Sequence, residues 1–153
     1  MNSDFKELLK IFNENRVKFL VIGGYAVSKY AEPRYTKDID LWVATDRANA
    51  EAVFRSLKQF GAPLSGMSPD DFTDEDCVYQ MGRPPARVDV LMSISGVDFA
   101  EAWPRRVDVT IDGIVVPFIS KVDLIASKRA AGRPQDLIDA DLLEQTDALD
   151  GGQ

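Results

Sequence analysis

Hydrophobic and polar positions alternate along this chain in two rhythms, one helical and one extended. Phe5, Leu8, Leu9, Ile11 and Phe12 recur three and four residues apart, the spacing of one helix face, and predict a helix over 4–15 with Ser3 as its N-cap. Lys18-Phe19-Leu20-Val21-Ile22 is a short apolar run that stops at Gly23-Gly24. A run of that length bounded by glycines predicts a buried strand. A helix is expected over 24–31, halted at Glu32-Pro33 because the residue before a proline disfavours helix. Asp38 to Val43 predicts a second strand, and residues 46–60 a helix whose Ala50, Val53, Phe54 and Leu57 share a face, closed by Gly61.

The later pattern is more broken. Residues 61–76 are rich in Gly, Pro, Ser and Asp and predict a loop. Val78–Met81 and Ala86–Ile94 predict strands, with a short helix over 98–102 between them and the next pair. Residues 106–111 and 114–119 predict a hairpin turning at Asp112-Gly113. Helices are expected over 120–130, capped by Ser120, and over 135–147. Strands and helices mixed in this order predict an α+β (mixed α/β) protein, a small mixed sheet flanked by helices. Residues 1–148 are expected to form one domain and 149–153 a disordered tail.

Composition narrows the chemistry. The chain has 153 residues, 45% apolar and 28% charged, ordinary for a globular domain. No apolar run reaches the ~18 residues of a membrane span, no signal-peptide pattern opens the chain, and a cytoplasmic address is expected. The lone Cys77 excludes an internal disulfide and a cysteine-rich zinc site. There is no histidine, so every mechanism that needs an imidazole base or ligand is excluded. Carboxylates, lysines and arginines remain, an inventory suited to magnesium and phosphates. A net charge of −7 argues against general DNA binding through a diffuse positive field.

Asp38 and Asp40 carry the chemistry. Residues two apart on a strand share a face, so these carboxylates project together from a strand that is otherwise apolar. Their repulsion calls for a counter-charge. A divalent cation supplies one, and hard oxygen ligands select magnesium or manganese; a solvated strand end is the plainer alternative. Gly23-Gly24, where a strand opens into a helix, offers bare backbone N–H groups at a positive helix end, an arrangement that holds phosphate; an ordinary strand-to-helix turn is the alternative there. A third carboxylate comes from one of two Arg-Val-Asp-Val segments. Asp108 shares a wet face with Thr110 and Asp112. Asp89 sits on the more enclosed strand, between Val88 and Val90, where a carboxylate needs a reason. Asp89 is preferred, with Asp108 in reserve.

Three segments together resemble the nucleotidyltransferase superfamily typified by DNA polymerase β: Phe19 to Val27, Arg34 to Val43, and Arg87 to Leu91. The resemblance is nearer to the minimal bacterial branch of abortive-infection toxin and lincosamide-type nucleotidyltransferases. The run Ile119 to Ala140 is similar to that branch as well, and the match spans roughly residues 17–143. It implies the nucleotidyltransferase fold and two-metal transfer of a nucleoside monophosphate from an NTP to an acceptor hydroxyl. Asp38, Asp40 and Asp89 would bind Mg2+ or Mn2+, with Asp89 as a candidate base. Gly23, Gly24, Arg34, Thr36, Lys37, Lys121 and Lys128 would meet the nucleotide. Many family members have serine where this chain has Gly24, so phosphate contact there would rest on backbone. The implied acceptor is a tRNA end, a protein or a small molecule. The competing expectations are a non-catalytic or partner-regulated component of a toxin–antitoxin or phage-defence module, and a nucleotide sensor without turnover. Asp136 and Asp139, three apart, are read as a charge cluster with Lys128 and Arg133 that docks the last helix.

Overall fold

A computed structural model of the chain describes residues 1–31, 33, 38–83 and 86–149, with side chains through Thr146. The first helix, α1 (Ser3–Glu14), buries Phe5, Leu8, Leu9, Ile11 and Phe12. Its N-cap is Asn2, one residue before the expected Ser3, because the Asn2 side-chain oxygen accepts from the Phe5 backbone N–H at 2.8 Å. Strand β1 (Phe19–Ile22) is buried at all four positions, as a strand covered on both faces must be. It runs straight into α2 (Gly23–Tyr30). Strand β2 (Ile39–Val43) and helix α3 (Arg47–Phe60) follow, with Asp46 as N-cap and Gly61 closing the helix in the left-handed conformation.

The expected loop contains one 3-10 turn, Pro69–Phe72, which drives Phe72 into the core. Strands β3 (Val78–Arg83) and β4 (Ala86–Leu91) then pair antiparallel. Strand β4 ends three residues earlier than its apolar pattern predicts. The Ser93 hydroxyl donates to the Glu75 carbonyl at 2.7 Å, and the chain reverses through Gly96, with Ile94 bridging Val97. A short helix α4 (Phe99–Ala102) leads to the hairpin of β5 (Val107–Ile111) and β6 (Ile114–Phe118). Helix α5 (Lys121–Ala131) is capped by Ser120, and α6 (Pro134–Leu149) packs against it.

The six strands form one mixed sheet in the order β3-β4-β2-β1-β6-β5. β2 is antiparallel to β1 and parallel to β4. Trp42, Phe12, Phe19 and Phe72 are among the largest fully buried side chains. Asn49, buried on α3, ties the chain ends of two central strands together. It accepts from the Lys18 N–H at 2.7 Å and donates to the carbonyls of Lys18 at 3.1 Å and Ala44 at 2.8 Å. β1 and β2 are thereby locked in register, which sets where their polar ends meet.

Candidate active site

The parallel pairing of β2 with β4 sets Ile39 opposite Val88 and Asp40 opposite Asp89. Continued by one residue, the same register puts Asp38 opposite Arg87. Side chains alternate along both strands, so Asp38, Asp40, Arg87 and Asp89 project from one face as a square of charges. Its sides are filled. Arg87 directs Nε to Asp89 Oδ1 at 3.1 Å and Nη2 to Asp89 Oδ2 at 3.2 Å, and Nη2 also lies 3.4 Å from Asp38 Oδ2. Asp40 and Asp89 hydrogen-bond carboxyl to carboxyl.

That contact requires a proton. Burial pushes the Asp40 carboxyl from 3.8 up to about 7, reinforced by the hydrogen bond to Asp89 and by the charges of Asp89 and Asp38; Arg87 opposes the shift. Arg87 supplies one counter-charge to these carboxylates. Among the described residues no three acidic side chains converge on one point. The donor set nevertheless suits a divalent cation. Its ligands are hard carboxylate oxygens on one face, and Asp40 is held against a position that carries no side chain. A Cβ added at Gly23 would lie 2.0 Å from Asp40 Oδ2, and Gly23 has φ +69°. Both facts demand glycine there.

Gly23 and Asp40 line a cavity of about 510 Å³ that extends under α5 past Ser93 and Ser127 to Lys128 and Arg133. Lys128 is held by two aspartates of α6. Its ammonium lies 3.2 Å from Asp139 and 3.5 Å from Asp136, and Arg133 Nε donates to Asp136 at 2.7 Å. This is the charge cluster expected to dock the last helix, and it forms one rim of the cavity. Lys121 is not brought there. Two turns earlier on α5, its Nζ lies 5.8 Å from the Tyr30 ring centroid. Asp108 is on the far edge strand, 3.3 Å from Arg106 and three strands away from β2. Arg34, Thr36 and Lys37 lie outside the described residues. Arg87, Ser93 and Ser127 escaped the sequence reading. For Arg87 a signal existed, since Arg-Val-Asp places it on the face of Asp89. A second cavity, about 710 Å³, opens beyond the other end of β2 and shares Ser93 and Ile94 with the first.

A mixed sheet with paired aspartates beside a glycine turn defines a nucleotidyltransferase-like protein, and the comparisons with known proteins agree. Residues 2–150 match the family described as "Nucleotidyltransferase of unknown function (DUF6036)", and the chain belongs to that family. Nucleotidyltransferases are enzymes, and the family supports transfer of a nucleoside monophosphate in general. The structure is similar to the lincosamide antibiotic adenylyltransferase LnuA in its lincomycin-bound crystal structure, with TM-score 0.57, 14% identity and coverage of 95% of this chain and 98% of that one. It is also similar to the antibiotic-resistance factor ANT(2'')-Ia, with TM-score 0.56, 15% identity and 97% and 90% coverage. The third similar structure is a putative nucleotidyltransferase from Thermotoga maritima, with TM-score 0.53, 15% identity and 96% and 88% coverage. At these identities the likeness concerns the fold. Comparison with curated proteins finds no sequence match. Among the described residues no helix is long and apolar enough to cross a membrane.

Proposed function

We propose that the chain moves a nucleoside monophosphate from an NTP to an acceptor hydroxyl, through one domain over residues 1–148. Asp38, Asp40 and Asp89 would hold Mg2+ or Mn2+. The observation that carries this is the pairing of Asp40 with Asp89 across β2 and β4, with Asp40 and Gly23 lining one cavity. When bound, divalent metal supplies charge neutralisation of the triphosphate and acidification of the acceptor hydroxyl, with two ions as the fullest form.

The chain's own groups do the rest. The backbone N–H groups at the start of α2, from Gly23 and Gly24, face phosphate oxygens. Lys128 and Arg133 give the cavity a cationic rim, tempered by Asp136 and Asp139. Thr36, Lys37 and Arg34, just before Asp38 in sequence, are the proposed further phosphate ligands. Asp89 takes the acceptor proton. The acceptor oxygen bonds to the α-phosphorus, the α–β bridging P–O bond breaks, and pyrophosphate leaves with that electron pair.

The test is incubation of the protein with α-labelled NTPs and Mg2+ against a panel of total tRNA, cell protein, an aminoglycoside and a lincosamide. Label is expected on one acceptor class and lost with Asp38→Asn or Asp40→Asn. Equal labelling by variant and parent sinks the reading. No labelling, with a stoichiometric partner co-purifying, moves the case to a partner-regulated defence component.

A further inference from the structure

We propose that Arg87 is a working residue of this site: the counter-ion that the carboxylates release when a divalent cation binds, and which then engages the incoming triphosphate. The inference rests on the metal reading above. Arg87 covers two of the three proposed ligands. Its fork occupies both oxygens of Asp89 and its Nη2 reaches Asp38. A cation bound by Asp89 needs oxygens that the fork already holds, and at Asp38 it shares the carboxylate with Nη2, so the guanidinium and the cation compete.

Three features suit Arg87 to leaving. Its contacts of 3.1, 3.2 and 3.4 Å are longer than the roughly 2.7–2.9 Å of a tight charge-assisted fork. Its side chain is 37% exposed while Asp89 is 11% exposed, so the head group already stands toward solvent. Its cross-strand neighbour on β3 is Gly82, which sets no side chain beside it. The ion pairs of Arg105 with Asp123 and of Arg133 with Asp136 are shorter, at 2.8 and 2.7 Å. Once displaced, a planar guanidinium fork on the face that carries Asp38, Asp40 and Asp89 matches the geometry of phosphate oxygens.

The experiment is Mn2+ titration without nucleotide, followed by the electron paramagnetic resonance of free Mn2+, on parent, Arg87→Gln, Arg87→Lys and Asp40→Asn. Arg87→Gln is expected to bind Mn2+ roughly tenfold more tightly than parent, the effect of removing one positive charge about 6 Å from a dication in water-like surroundings. Arg87→Lys, which keeps the charge without the fork, is expected to fall between them, and it serves alone if the glutamine variant does not fold. With Mn2+ saturating, a non-hydrolysable nucleoside triphosphate should bind Arg87→Gln at least fivefold more weakly than parent. Mn2+ affinity equal to or below that of parent, or unchanged triphosphate affinity, overturns the proposal. Absence of Mn2+ binding in parent and both Arg87 variants overturns the metal reading with it, whereas binding that Asp40→Asn abolishes and Arg87 does not influence overturns this proposal alone.

Discussion

Replacing Asp40 by Asn should stabilise the metal-free protein above neutral pH, although it removes a proposed metal ligand. Asp40 and Asp89 hydrogen-bond carboxyl to carboxyl, and burial with nearby negative charge raises Asp40 from 3.8 to about 7. The folded state therefore holds a proton that the unfolded chain has released, and stability falls as pH rises between those values. At 1.36 kcal/mol per pH unit the full shift corresponds to about 4 kcal/mol. Because Arg87 offsets part of the repulsion and the Asp40 carboxyl is only partly buried, a loss of about 1–2 kcal/mol is the sounder expectation. Asn keeps the size and the donor toward Asp89 without needing a proton. For a chain of this size the gain is a rise of roughly 3–6 °C in Tm. Differential scanning of parent and Asp40→Asn from pH 4 to pH 8.5 in chelator checks it. The two should coincide near pH 4, diverge as pH rises and level off above pH 7. A Tm difference that is absent at pH 8, or equal at pH 4 and pH 8, refutes the electrostatics assigned to this pair.

Other perturbations have defined outcomes. Gly23→Ala forces an alanine into φ +69° with its Cβ 2.0 Å from Asp40 Oδ2, and should cost about 3 kcal/mol or more in urea unfolding; a cost below 1 kcal/mol would show that the turn relaxes freely. Asn49→Ala strands one backbone N–H and two carbonyls at the base of the sheet and should cost about 2–3 kcal/mol by the same measurement. Asp136 is held below the usual carboxylate range, chiefly by its hydrogen bond from Arg133. Its contribution is present above pH 4 and lost as pH falls further. Asp136→Asn should therefore lower stability by about 2 kcal/mol at pH 7, and the gap to parent should shrink as pH falls below the ordinary carboxylate range in a pH series of thermal melts. Asp108→Asn should leave nucleotidyl transfer unchanged while Asp89→Asn abolishes it, in the labelling assay above.

Local signals carried most of the fold. Apolar residues at helical spacing placed α1 and α3 to within a residue or so, and Asp112-Gly113 placed the β5–β6 turn, where both residues have positive φ. Element ends were less legible, because they depend on which side chain reaches which backbone group. Asn2 displaces Ser3 as a cap, and the Ser93–Glu75 bond ends β4 early. At the site, alternation along β2 was enough to put Asp38 with Asp40, and enclosure favoured Asp89 over Asp108, whose edge strand lies three strands off. What sequence could not show was non-local. The square with Arg87 exists only because β2 and β4 run parallel in one register. Arg87 joins the carboxylates for that reason. Lys121, expected beside Lys128 as a nucleotide contact, lies by Tyr30 and does not line the cavity.

The most direct test is a crystal soaked with Mn2+ and a non-hydrolysable nucleoside triphosphate, with data collected at the manganese absorption edge. An anomalous peak bounded by carboxylate oxygens of Asp38, Asp40 and Asp89, with triphosphate density against the Gly23-Gly24 turn, is the predicted result. Triphosphate density elsewhere, or a peak that none of these three aspartates touches, would contradict the assignment of the site.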